Sequence, residues 1–344
     1  MNKYKILKGG IHIHSKFSDG SGTIEEIVAE AQRANLDFII ISDHHNHESK
    51  KFEGRYGNLN LIGAYEWDDS KKNHSLMFNS EIIYPQNWSI QKLLDTVNQK
   101  KESLFMAHPS DKYKPFWGKD PYPWNYWENH PGINGIEIWN FFSEWREKVN
   151  EKNYLETIQN PSQFLTGPHQ ETIDFWDKVN LERAFPAIGG LDAHAFNRKV
   201  MDQDFVILPY YESFCAVQTH VFLPEEIENN FESYKAAILN AIMKGNSFII
   251  NQAIADIGNL HFSCTSDNES YMPGSKIELK ENPVLKIDTG IKASVDIFRN
   301  GSKIESSLDF QMKLSIKESG NYRFQIFVEG KPWVFSNNYY VVED

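Results

Sequence analysis

His12 and His14 stand one residue apart in the stretch His12-Ile13-His14-Ser15-Lys16-Phe17-Ser18-Asp19-Gly20. On a strand, residues i and i+2 point to one face. Two imidazoles on one face and a carboxylate on the following loop can therefore converge on one metal region. Further along come Ser42-Asp43-His44, Glu66, His74, Ala107-His108-Pro109 and Asp192-Ala193-His194. An inventory of histidines and acids, each close to a separate apolar run, suits a multinuclear metal site built for hydrolysis.

Glu66 follows Leu61-Ile62-Gly63-Ala64-Tyr65, where a charge without a partner is costly. A carboxylate spanning two metals removes that cost and fixes their spacing. Asp192 and His194, again i and i+2, can reach neighbouring parts of one site. Asp43 has two readings, an acceptor for a ligand histidine or the cap of a turn. His45 is placed to protonate a leaving group, and His47 reads as a surface residue. Arg198, four residues past His194, is a candidate to receive an anionic substrate group, and Lys16 is a weaker one. Asp43, His45 and Arg198 are thus the candidate catalytic side chains. The chain has no Gly-x-Gly-x-x-Gly, Walker or Gly-x-Ser-x-Gly pattern. Water activated by metal is the nucleophile it can best supply.

The elements that position these groups are legible in outline. Thr23 to Asn35 predicts a helix with a capping box, Thr23 and Glu26, and an apolar stripe of Ile24, Ile27, Val28, Ala31 and Ala34. Phe38-Ile39-Ile40-Ile41 is a β-branched run of the kind buried on both faces of a parallel sheet. Leu59 to Ala64, Ser75 to Phe78, Leu104 to Ala107, Ile133 to Trp139 and Ala184 to Gly190 are further strands, with a helix over Ser89 to Lys101. This repetition over roughly 250 residues predicts an α/β barrel or a related closed sheet. His44, Glu66, His108 and Asp192 each end an apolar run, where a barrel gathers its chemistry. His74 instead begins its run, which calls for an antiparallel strand or a long loop.

Residues 111–165 read as an insertion crowded with aromatics and prolines, among them Tyr113, Pro115, Phe116, Trp117, Tyr122, Trp124 and Trp145. Such a segment forms either a satellite core or the wall of a substrate cavity. Tyr234 to Lys244 predicts a helix closed by Gly245. Beyond Ile250 the runs alternate and are separated by turns such as Arg299-Asn300-Gly301, which predicts a small β-sandwich over 256–344 after a catalytic unit at 1–255.

Composition narrows the class. The 344 residues are 40% hydrophobic and 14% aromatic, enough for a packed core. A formal net charge of -12 leaves no basic surplus for gripping a nucleic-acid backbone. Cys215 and Cys264 form no CxxC, so imidazole and carboxylate must hold any metal. No signal-like or membrane-spanning apolar stretch is present in the sequence, and a soluble cytoplasmic protein is the expectation.

Taken together, His12-Ile-His14, Ser18-Asp19-Gly20, Ser42-Asp43-His44, Glu66, His74, Ala107-His108-Pro109 and Asp192-Ala-His194 resemble the metal-dependent hydrolases of the polymerase and histidinol phosphatase (PHP) family. The resemblance implies a distorted (β/α)7 barrel with two or three divalent ions, Zn, Mn or Fe. It implies His12, His14, Glu66 and Asp192 around one metal, Glu66, His74 and His108 around a second, and Asp19, His44 and His194 around a third. The tail after residue 256 is similar to that of the CehA/McbA-like subgroup, which includes hydrolases of carbamate and amide-type bonds besides phosphoesterases. The run His44-His45-Asn46-His47 departs from the single histidine followed by Asn or Asp that many members have after the Asp-His pair, and this blurs the substrate class.

A phosphoesterase acting on a small anionic molecule, or one with an apolar leaving group, is the leading expectation. Hydrolysis of a carbamate, ester or amide is the second. A protein that binds a partner or glycan through its C-terminal sandwich is the third, and it requires an exposed aromatic platform there. Neither stable nucleic-acid binding nor membrane attachment is expected.

Overall fold

The structure is a computed structural model that describes residues 4–69, 73–112, 116, 120–200, 203–255, 257–266 and 269–343. Tyr113, Pro115 and Trp117 of the aromatic stretch lie outside the described residues. The fold is mixed α/β with a strand-rich C-terminal region.

The early elements form for the reasons their residues give. Thr23 caps the helix Ile24–Arg33: its hydroxyl accepts from the Glu26 amide at 3.2 Å, and its own amide donates to the Glu26 carboxylate at 2.8 Å. Ile24, Ile27, Val28 and Ala31 bury the apolar stripe, and the all-apolar strand Phe38–Ile41 is buried on both faces. Ser89 caps the helix Ile90–Lys100, and Gly245, at φ 70°, ends the helix Phe231–Lys244.

Among the described residues there are two large hydrogen-bonded sheets, neither of which closes on itself, and a separate two-stranded hairpin, Phe196–Val200 with Gln203–Ile207. In the first, the strand Tyr4–Ile13 pairs in parallel with Phe38–Ile41, which pairs in parallel with Leu59–Gly63. The other edge of Tyr4–Ile13 runs antiparallel to Val217–Pro224, next to Ser247–Asn251. The second sheet holds Tyr65–Asp68, His74–Met77, Leu104–Met106, Gly135–Asn140 and Ala187–Gly190 in that order. Ala64 alone separates Leu59–Gly63 of the first sheet from Tyr65–Asp68 of the second.

Two seams of isolated backbone pairing tie the sheets together. At one, Ile13 bridges Ala193; at the other, His44 bridges Glu66. The strands expected to form one closed (β/α)7 barrel sheet thus lie in two open sheets joined at these seams. Short connections account for much of the difference, since His74–Met77 runs antiparallel to both its neighbours. That direction puts His74 at the same sheet end as residues that close parallel strands.

In the C-terminal region, Val284–Arg299 merges two runs that read separately in the sequence, and it pairs with Ser302–Ser315 through the turn Asn300-Gly301 at φ 52° and 79°. Lys331–Ser336 pairs with Ser247–Asn251, so one sheet runs continuously from the first strand into this region. The Asn337 side chain accepts from the Ala187 amide at 2.7 Å and donates to the Ala187 carbonyl at 2.9 Å, fixing the strand that leads to Asp192. Arg323 grips both Asp177 oxygens, at 2.8 and 2.7 Å, and so anchors the helix Gln170–Asn180.

Candidate metal centre

The two seams deliver the site residues. His12 has φ 67° and sits where the pairing of Tyr4–Ile13 with Phe38–Ile41 slips register between Ile11 and Ile13. A bulge, and not plain strand alternation, thus aims the first histidine. Leu191 donates to the Ile11 carbonyl at 2.9 Å, and His14 donates to the Ala193 carbonyl at 2.9 Å, lacing Asp192 alongside both histidines. At the second seam the Glu66 amide donates to the Ser42 carbonyl at 3.1 Å and the His45 amide to the Glu66 carbonyl at 3.0 Å. His108 (φ 27°) and Asp192 (φ 52°) are left-handed as well, a conformation costly for side chains with a Cβ and concentrated at this site.

Asp43 takes the turn-capping alternative. Its carboxylate accepts from the Ser15 amide, the Ser15 hydroxyl and the Ser18 hydroxyl, each at 2.7 Å. It holds the loop that bears Asp19 and reaches no ligand histidine by hydrogen bond. Gly20 lets this loop close, because a Cβ there would stand 2.2 Å from the His14 carbonyl oxygen.

Glu66 is the hub. Its Oε2 lies 3.1 Å from His12 Nε2, 3.1 Å from His14 Nε2 and 3.5 Å from His44 Nε2. Its Oε1 lies 2.8 Å from His74 Nδ1 and 3.3 Å from His108 Nε2. Each oxygen thus addresses its own group of imidazoles. Asp192 Oδ1 is 3.6 Å from His12 Nε2 and 3.4 Å from His14 Nε2, while Asp19 Oδ1 is 3.2 Å from His194 Nε2. All nine residues singled out as metal ligands come together, in four overlapping groups whose donor atoms lie within 4.8 Å of one another.

The donor set fits divalent cations. His14 Nε2 is buried between two carboxylates and makes no directed hydrogen bond. Six imidazoles and three carboxylates offer the nitrogen and oxygen ligands that such ions take. His12, His14 and Asp192, then His12, Glu66 and His108, then His44, Glu66 and His74, then Asp19 with His14, His44 and His194 are the overlapping groups that would hold them, so the structure sets His74 and His108 in separate groups where the resemblance implied one.

Two further carboxylates orient these ligands, and sequence reasoning passed over both. Glu137 Oε1 lies 2.9 Å from His12 Nδ1, and its Oε2 accepts from the His108 amide at 2.6 Å and from Asn140 at 2.9 Å. With Nδ1 committed, His12 presents Nε2 to the site. Asp68 lies 3.3 Å from His44 Nδ1 and 2.8 Å from His45 Nε2. The signal for Glu137 was a lone charge inside the apolar strand Ile136-Glu137-Ile138, the same signal that marked Glu66.

Without cations the charges lean on one another. Burial would raise the Glu66 carboxyl, but His12, His74 and His44 hold it well below the usual carboxylate range. Burial would lower the His14 imidazole, yet Asp192 and Glu66 push it up to about 10, and His108 rises in the same way to about 9. Groups with a raised folded-state value stabilise the fold below their unfolded value of about 6.5 and lose that contribution as pH climbs through 9 to 10. Metal-free protein should therefore melt at a lower temperature at pH 9.5 than at pH 6.5. Cations must displace those same protons, so metal affinity should rise over that window. Melting curves with and without chelator check both signs, and parallel trends would contradict the assignment.

A cavity of about 260 Å³ opens on the cluster. Glu66, His74, His108 and Asp192 form its floor; Tyr122, Phe142, Trp145 and Phe196 contribute an aromatic wall. The Tyr122 ring lies 4.9 Å from His74, and Phe196 stacks 4.4 Å from His194. Other aromatics of the stretch, such as Trp124, are buried in the core, so the region is both satellite core and wall. Arg198 is exposed on the cavity rim, 4.8 Å over Phe196, on the strand Phe196–Val200 of a hairpin that periodicity did not indicate. His45 turns to Asp68 and is not among the residues lining the cavity. His47 is half-buried against Tyr65, and burial lowers its imidazole to about 4. His130, His220 and His261 lie outside the cluster; replacing exposed His261 by Gln should leave metal content unchanged, as elemental analysis would read.

The comparisons with known proteins bear on this geometry. Residues 10–101 match the PHP domain family. The PHP match takes in His12, His14, Asp19, His44, Glu66 and His74. Among solved structures, the chain is similar to a two-domain protein from Bacteroides vulgatus containing a predicted PHP-like metal-dependent phosphoesterase, at 16% identity and a TM-score of 0.49 over 98% of this chain and 96% of that one. It is also similar to PsfC from Pseudomonas syringae, at 12% identity and 0.40 over 68% and 89%. A third is the lesion-specific endonuclease PfuEndoQ from Pyrococcus furiosus, at 14% and 0.41 over 78% and 64%. None of the curated proteins compared with the chain matches it. No helix among the described residues is long and apolar enough to cross a membrane.

Proposed function

We propose that the protein is a metal-dependent phosphoesterase acting on a small molecule. The observation that carries this reading is the division of labour at Glu66, whose two oxygens face separate groups of imidazoles as a bridging carboxylate does. The nine ligands would hold divalent cations, which would supply Lewis acidity and a more acidic water. The chain's own groups then bind and orient. Glu137 and Asp68 fix imidazole positions, and the aromatic wall excludes water around the reacting centre.

Guanidinium groups favour phosphate over a carbonyl substrate. Arg146 and Arg198 both line the cavity, where a phosphoryl group carries charge that a carbamate or amide lacks. The aromatic wall keeps hydrolysis of an aryl carbamate, ester or amide as the second reading. A cavity of about 260 Å³ suits a mononucleotide or smaller molecule better than a strand of nucleic acid. The wider reading includes a distorted (β/α)7-type arrangement over 1–255, a sandwich-like unit over 256–344 of the CehA/McbA-like kind, and a cytoplasmic location.

The test is metal-resolved screening of the purified protein against phosphomonoesters, phosphodiesters and aryl carbamates. Phosphate release that depends on added Zn, Mn or Fe is the expected result. Turnover of carbamates alone would transfer the assignment to the second reading.

A further inference from the structure

We infer that Arg146, held in place by Asp111, grips the phosphoryl oxygens of the substrate across the cavity from the metal centre, an assignment that rests on the phosphoesterase reading above. Arg146 lies on the helix Phe141–Lys148 and is only 6% exposed; Asp111, its ion-pair partner, is 4% exposed. Burying such a pair carries a desolvation cost that its mutual attraction must offset, and an apolar pair would pack as well, so packing alone does not explain it.

The surroundings aim this guanidinium at the site. Asp111 is itself pinned, its Oδ2 accepting from the Tyr122 amide at 2.8 Å. The guanidinium carbon lies 5.9 Å from the Tyr122 ring centroid and 5.6 Å from that of Phe142. Those two rings reach different ends of the ligand cluster: Tyr122 lies 4.9 Å from His74, and Phe142 lies 5.5 Å from His194. Arg146 is therefore packed against two rings that border the cluster on different sides, and it lines the same cavity as Glu66.

The chemistry suits a phosphoryl oxyanion. Nη2 is held by Asp111, while no protein acceptor engages Nη1 among the described residues. A fork locked by packing loses little further freedom when it binds an anion, unlike the exposed Arg198 at the rim, whose Nη1 donates to the Asn197 carbonyl at 3.2 Å.

Phosphate binding and ester turnover read this assignment separately. Two variants are compared with the metal-loaded wild type: Arg146→Lys, and the double variant Asp111→Asn with Arg146→Gln, which leaves no buried charge without a partner. Calorimetry with inorganic phosphate should give a Kd raised at least tenfold in both, with metal content and Tm close to wild type. The KM for p-nitrophenyl phosphate should rise in step, and Arg198→Ala should weaken phosphate binding by a smaller factor. Wild-type phosphate affinity in the two variants, a larger loss from Arg198→Ala, or no phosphate binding by the wild type would each overturn the assignment. A wild type that binds phosphate through Arg146 yet cleaves no ester would sink the phosphoesterase reading and leave the anion site standing.

Discussion

Glu66→Gln is expected to strip the protein of most of its metal while leaving it folded. The side chain is 1% exposed and its two oxygens address five imidazoles, so its loss should reach most of the proposed ligand groups. An amide of the same size fills the space, but it offers one acceptor oxygen and no charge to offset two cations. Metal contributes several kcal/mol to such chemistry, and losing about 4 kcal/mol of it corresponds to roughly a thousandfold in turnover. Elemental analysis and circular dichroism on the purified variant decide the matter. Full metal occupancy in a folded Glu66→Gln protein would count directly against the bridge.

The second large effect is expected one layer further out, at Glu137. This carboxylate holds His12 Nδ1 at 2.9 Å and the His108 amide at 2.6 Å, so it orients two ligands from two different sheets. Its seat is tight: a Cβ on Gly190 would lie 1.5 Å from Glu137 Oε1. Glu137→Gln keeps the shape but swaps one oxygen for a donor, so either the imidazole or the backbone amide loses its acceptor. Partners of this kind are worth about 10- to 100-fold in metal affinity. Competition titration against a chromophoric chelator should show that loss, and unchanged affinity would return Glu137 to a structural role.

How far the site could be read from the chain depends on what each residue's neighbours announce. His44, Glu66, His108 and Asp192 end apolar runs, where backbone direction predicts their convergence, and His12 and His14 stand one residue apart. Even His74 carried its own clue, a histidine at the head of a run, which the antiparallel strand explains. What stayed hidden is what needs three dimensions. Left-handed backbone at His12, His108 and Asp192 has no local signature, since none of them is glycine. The single-residue passage at Ala64 between two sheets breaks the closed ring that strand–helix alternation predicts. Arg146 and Asp111 belong to no motif in the sequence, and the packing of Tyr122 and Phe142 beside the Arg146 guanidinium is what gives the pair a role. The hairpin Phe196–Val200 with Gln203–Ile207, whose polar residues Asn197, Arg198 and Lys199 and then Gln203 and Asp204 run consecutively, carries no periodic pattern to betray it.

The most direct test of the phosphoesterase reading is phosphate release from an aryl phosphate by the wild-type protein, stripped with chelator and then reloaded with Zn, Mn or Fe one at a time. Loss of activity on stripping and its return with at least one of these cations, at a stoichiometry of two or more per chain, is the predicted result. Full activity in the stripped protein, or none in any reloaded form, would contradict it.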